Sequence, residues 1–161
     1  MINTGENIFV DFKSSEYCEA RPDHIAANII SFTNRYGENT LIGILNNGHI
    51  EGCSFDNNAI NKYQLKFSHI ANSSCSPNVN LYSYKVDFEE GDVIVMDIKK
   101  RVGMPHAVIK RSFIEIESRI YYIRTNNNNS LIGDITIEFL FNNLNDPKYN
   151  SSLNFIFWVT N

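Results

Sequence analysis

Thr40-Leu41-Ile42-Gly43-Ile44-Leu45 is a short, nearly continuous apolar run, and it leads straight into Asn46-Asn47-Gly48. A run of that length reads as a strand buried on both faces, whereas an amphipathic helix would interrupt it with polar residues. Asn and Gly accept positive φ at little cost, so Asn46-Asn47-Gly48 reads as a tight turn. The chain is then expected to return through His49-Ile50-Glu51-Gly52 as a hairpin. A central strand of this kind needs covering layers, and the flanking sequence supplies them.

Upstream, Ile8-Phe9-Val10 with Phe12 reads as a first strand, broken at Lys13-Ser14-Ser15. From Pro22 the period changes. Ile25, Ala26, Ile29, Ile30 and Phe32 recur at three- and four-residue steps, as on one buried helix face. Pro22-Asp23 suits the start of that helix and Tyr36-Gly37 its end. A weaker helix is predicted over residues 57–72, around Ile60, Tyr63, Phe67 and Ile70. Strands are expected at Val79–Val86, Asp92–Ile98, Phe113–Ile116 and Arg119–Arg124, with Glu89-Glu90-Gly91-Asp92 turning between the first two. Asn126–Asn129 reads as a loop, Ile135–Leu144 as a short helix and Leu153–Val159 as an apolar strand. The expected fold is α+β: a mixed, largely antiparallel sheet flanked by two or three helices. No composition break marks a second domain. Residues 1–134 are read as the domain, with 135–161 packing on it as a terminal helix and strand.

The length of 161 residues is ample for one packed core, and 43% hydrophobic residues rule out a disordered chain. No apolar run approaches the roughly 18–20 residues that cross a bilayer. The N-terminal MINTGENIFVDFK lacks the order of a signal peptide, so a cytoplasmic location is expected. Cys18, Cys53 and Cys75 are odd in number and widely spaced, which suits reduced thiols better than disulfides or a zinc site. There is no GxxxxGK[ST] loop, and no nucleotide cofactor is expected. Nor is there a G-x-S-x-G element of a serine hydrolase.

The acids near the N-terminus admit two readings on spacing alone. Glu6 and Asp11 are five residues apart and would face opposite sides of a straight strand. A turn near Gly5–Asn7 would let them converge, and two carboxylates can share a divalent cation that assists attack on a phosphodiester. Lys13 has the parity of Asp11 and could hold a substrate phosphate. In the other reading Glu6 is a solvated terminal acid and Asp11–Lys13 an exposed ion pair worth little.

Several segments, in order and at compatible spacing, resemble the Schlafen-type AlbA-like domain. They are Glu6-Asn7-Ile8-Phe9-Val10-Asp11-Phe12-Lys13, Ser31-Phe32-Thr33-Asn34-Arg35-Tyr36-Gly37-Glu38, Leu41-Ile42-Gly43-Ile44, Asn46-Asn47-Gly48-His49-Ile50-Glu51-Gly52, Met104-Pro105-His106 and Tyr121-Tyr122-Ile123-Arg124. The resemblance spans about residues 5–132. It implies a metal-dependent endoribonuclease acting on structured RNA such as tRNA, with a three-carboxylate site that falls on Glu6, Asp11 and Asn46. Glu6 and Asp11 would hold Mg²⁺ or Mn²⁺, and Lys13 would contact the phosphate. Asn46 stands where the family has Asp and is a much poorer ligand for a hard cation. The alternative is a catalytically inactive module that binds nucleic acid or protein. Schlafen cores contain two such lobes across a cleft, so a single lobe implies a homodimer.

The net charge of −4 argues mildly against a general nucleic-acid binder. Its distribution does not. Ile98–Arg124 holds seven basic residues against two acidic ones, a charge of +5, and the remainder carries −9. Lys99, Lys100, Arg101, Lys110, Arg111 and Arg124 are therefore the candidate contacts to an RNA or DNA backbone, with Tyr121, Tyr122 and His106 interleaved for stacking. In the competing view the tyrosines alternate into the core and the charges merely solvate the outer face.

Overall fold

The computed structural model describes residues 5–7, 9–53, 56–111, 117–125, 128–133 and 141. Strand β1 is Val10–Lys13, followed by a single 3₁₀ segment, Ser15–Glu19, and helix α1, Pro22–Thr33. Strand β2 is Glu38–Ile42 and helix α2 is Asn57–Ser73. Then come β3 Cys75–Ser76, β4 Leu81–Phe88, β5 Gly91–Ile98, β6 Ala107–Arg111, β7 Glu117–Ile120, β8 Tyr122–Thr125 and β9 Asn128–Leu131. The fold is α+β, as the sequence implies.

The main sheet has the order β1-β2-β5-β4, with β1 and β2 parallel and the other pairs antiparallel. Two smaller sheets are β3-β6-β7 and β8-β9. Alternation along each strand separates two cores. Ile42, Ile94, Met96 and Ile98 meet Ile25, Ile29 and Phe32 of α1 and Ile60, Phe67 and Ile70 of α2 in the larger one. Val10, Phe12, Leu41, Val93 and Val95, from the opposite parity, form a second cluster with Ile44, which lies past the end of β2. Asp11 and Lys13 consequently project toward the helix side, where Thr40 and Ile42 are their register partners.

Helix starts follow local chemistry. Pro22 opens α1 at a position where its missing N–H costs nothing. Asp56 caps α2 by accepting the Ala59 N–H at 2.7 Å. The Asn46-Asn47-Gly48 turn forms as expected, but the returning leg makes a single bridge, Ile44 to Ile50, and no ladder. The reason lies in Gly52, at φ +71°, where a Cβ would sit 2.7 Å from the Gly91 Cα. The return leg is pressed onto the β4–β5 turn and cannot lie flat beside β2.

Three sequence expectations differ in detail. Arg119–Arg124 is not one strand: Tyr121 separates β7 from β8, and the two join different sheets. Ala107–Arg111, not singled out in the sequence, is β6. Half of the Asn126–Asn129 loop belongs to β9. Phe113–Ile116, Leu153–Val159 and, apart from Phe141, Ile135–Leu144 lie outside the described residues.

Gly37 links α1 to β2 at φ +73°, and a Cβ there would lie 2.5 Å from the Lys100 backbone N and 2.8 Å from the Ile98 O. Both neighbours are main chain and cannot move aside cheaply. Gly37→Ala is expected to lower stability by about 2 kcal/mol. Urea unfolding checks this; a loss below about 0.5 kcal/mol would show that the turn relaxes freely.

Candidate functional site

The local fold around the N-terminal acids begins with a tight reversal. Gly5 has φ +68°, and Asn7 and Val10 exchange main-chain hydrogen bonds at 3.0 and 3.3 Å. The turn that convergence requires is therefore present. It brings Glu6 against β1, where Oε1 accepts the Phe12 N–H at 3.0 Å. Glu6 and Asp11 have no shared partner among the described residues.

Asp11 is 1% exposed, and two cations face it. Arg124 Nη2 donates to Oδ1 at 2.7 Å. Lys13 Nζ lies 2.7 Å from Oδ2, a close ion pair without hydrogen-bond directionality, and gives its hydrogen bond to the Phe12 carbonyl at 3.3 Å. Arg124 is itself 3% exposed, its guanidinium 4.8 Å above the Phe32 ring. Its Nη1 donates to Asn129 Oδ1 at 3.1 Å, and Asn129 Nδ2 donates to Asn28 Oδ1 at 3.0 Å. A polar chain thus runs from β9 through α1 and β8 into β1.

Asn34 makes this docking possible. Its Nδ2 donates to the carbonyls of His106 and Tyr122, at 2.8 and 3.0 Å, and its Oδ1 accepts the His106 N–H at 2.8 Å. One buried amide at the end of α1 thereby holds β6 and β8 together. Arg35 adds a hydrogen bond to the Arg124 carbonyl.

Glu38 is the residue that sequence reasoning missed. It opens β2, shares the face of Asp11, is 4% exposed, and leaves both carboxyl oxygens without a hydrogen-bond partner. Burial drives its carboxyl up to about 8; nearby Arg124 and Lys13 oppose that rise, and Asp11 and Glu6 add to it. The available signal was an acid directly after Gly37, at the second glycine of the Gly-Gly motif. Recognising it also requires knowing that β1 and β2 pair in parallel.

The other predicted site residues separate. Asn46 is exposed at the tip of its turn and makes no hydrogen bond to Asp11, Glu6 or Lys13. Arg124 is not an exposed phosphate contact, because it is buried on Asp11. His106 is also internal: its Nδ1 lies 2.6 Å from the Pro77 carbonyl, and burial lowers its pKa. Tyr121 and Tyr122 are half-buried. Lys99, Lys100 and Lys110 are exposed, and Lys99 pairs with Asp97 at 2.6 Å. Arg101 is half-buried; its Nη1 donates to the Gly103 carbonyl at 2.5 Å and its main-chain N–H to the Thr33 carbonyl at 2.8 Å. Arg111 closes β6, and its side chain lies outside the described residues.

These donors do not fit a resident divalent cation. Among the described residues no group of three or more His, Cys, Asp or Glu side chains is arranged to hold one. The Asp11 charge is already met by Arg124 and Lys13, and Asn46 brings no charge. The cluster instead does what a buried ion-pair network does: it couples distant strands, beside an acid that burial holds neutral.

The Schlafen AlbA_2 family model matches residues 6–133, and the chain belongs to that family. Among solved structures the fold is similar to that of the DIP2311 protein of Corynebacterium diphtheriae, at 14% identity and a TM-score of 0.53. That match covers 85% of this chain and 24% of the other, so the chain spans about a quarter of that protein. The N-terminal domain of a RecG-related protein from Nitrosomonas europaea is similar at 14% identity and a TM-score of 0.48, over 65% of this chain and 78% of that one. No curated protein matches. Among the described residues no helix is long and apolar enough to cross a membrane.

Proposed function

We propose that this Schlafen-type domain binds RNA or DNA through the exposed cations Lys99, Lys100 and Lys110, and that its acid cluster serves the fold instead of metal-dependent cleavage. The observation that carries this reading is the closure of Asp11. A carboxylate 1% exposed and neutralised by Arg124 and Lys13 has no free charge to offer a divalent ion, whereas the three lysines face solvent. Family membership supports a nucleic-acid partner.

Binding of a labelled structured RNA is expected to weaken as salt rises, by about 0.7–0.9 in log affinity per log salt for each phosphate contacted. Replacing Lys99, Lys100 and Lys110 together by Glu should abolish it. With Mg²⁺ or Mn²⁺ present the RNA should remain intact. Salt-independent binding would remove the lysines from consideration.

Glu38 favours a second reading, RNA cleavage. An acid without hydrogen-bond partners beside Lys13, Arg124 and Glu6 could take part in proton transfer at a phosphodiester. Scission that Glu6→Gln abolishes would establish that reading over the first. A homodimer that sets two such lobes against each other is tested by sedimentation, where a monomeric mass at micromolar concentration would dismiss it.

A further inference from the structure

An open pocket of about 220 Å³ lies where the residues preceding β1 meet the start of β2 and the end of β5. Phe9, Tyr36, Glu38, Asn39, Lys99 and Lys100 line it. The Phe9 ring is 52% exposed and lies 5.7 Å from the Tyr36 ring at an interplanar angle of 53°. Phe9 is not loosely tethered, since its carbonyl accepts the Asn39 N–H at 3.1 Å and ties it to β2. The Arg35 guanidinium lies 5.1 Å from the Tyr36 ring centroid. Two aromatic rings are thus held side by side at the mouth, with two lysines alongside.

The polar groups differ in what they have left to give. Lys99 is engaged with Asp97, while exposed Lys100 has no ion pair among the described residues. Asn39 carries an amide that can donate and accept at once. Glu38 borders the same pocket, but its carboxyl oxygens are buried.

We infer that this pocket takes a single nucleotide unit of unpaired nucleic acid, its base against Phe9 and Tyr36 and its phosphate on Lys100. The inference rests on the nucleic-acid reading above and deepens it. An exposed aromatic beside a free cation matches the two halves of a nucleotide: a flat π-face that stacks irrespective of sequence, and an anion. Phosphate alone would leave the rings unused, and an apolar peptide would leave Lys100 facing nothing. A base inside a duplex cannot present its face, so the unit must be unpaired. The Asn39 amide provides hydrogen-bonding groups for a base edge.

The test uses the full chain and a short single-stranded RNA carrying one 2-aminopurine, whose fluorescence falls when the base stacks, with end-label anisotropy read in parallel. Wild type should bind and quench. Phe9→Ala should weaken binding about tenfold and lose the quenching. Phe9→Trp should restore both, and because Phe9 is half exposed neither change threatens the fold. Lys100→Glu should weaken binding severalfold and reduce the salt slope by about one contact. Adenosine monophosphate should compete at concentrations where inorganic phosphate does not. If the RNA binds and Phe9→Ala changes neither signal, the pocket assignment is wrong while the nucleic-acid reading stands. If wild type binds no RNA even at low salt, both fall.

Discussion

Asp11→Asn is expected to destabilise the protein by about 3–5 kcal/mol, among the larger effects available to one substitution in a domain of this size. The cause is what remains behind. Arg124 is 3% exposed, with its Nε already lacking a partner, and it would lose the carboxylate that accepts from Nη2 at 2.7 Å. A buried guanidinium without a counter-charge costs far more than the intact pair contributes. Lys13, less enclosed, can turn toward water. The loss should appear as a fall in melting temperature of roughly 10 °C and a lower urea midpoint. Pairing the change with Arg124→Met should recover at least half of it, because an apolar chain of similar reach needs no counter-charge and can still lie against Phe32. A loss under about 1 kcal/mol from the single change would mean that the ion pair is effectively solvated.

Glu38→Gln should act in the opposite direction, and increasingly so as pH rises above about 5. The carboxyl sits at about 8 in the fold against an ordinary 4.5. Below 4.5 folded and unfolded chains both hold the proton, and the contribution is fully present. Between the two values only the folded chain holds it, so each rise in pH favours unfolding, until the contribution is lost above about 8. At about 1.4 kcal/mol per unit the total is on the order of 5 kcal/mol. The glutamine variant cannot ionise. It should match wild type within about 1 kcal/mol near pH 5 and exceed it near pH 9, with a flatter stability curve between. Parallel curves for the two proteins would place the Glu38 carboxylate in contact with water.

The two predictions share a cause, which is that charge lies inside this fold and not only on its surface. Arg124 shows why the sequence misleads on that point. It follows Tyr121-Tyr122-Ile123 in a segment rich in basic residues, and local sequence makes it look like its neighbours. Its partner Asp11 is 113 positions away. No local pattern distinguishes an arginine that meets phosphate from one that meets a buried aspartate.

Periodicity and turn chemistry act within a few residues, and what depends on them was legible: the Thr40–Ile42 part of the central strand, the Asn-Asn-Gly turn after it, α1, α2 and the β4–β5 hairpin. The motifs in order were enough to place the chain in its family. Features that depend on which strands become neighbours were not. Tyr121 divides one apparent strand between two sheets because β7 pairs with β6 while β8 pairs with β9. Glu38 joins the acids because β1 and β2 run parallel in a register that sets Asp11 against Thr40, two residues along the same face. The sequence by itself determined the family and those elements that rest on local spacing. Only the tertiary structure decided which charges are buried, which reach solvent and which acid keeps its proton, because those depend on long-range pairing and on the exclusion of water.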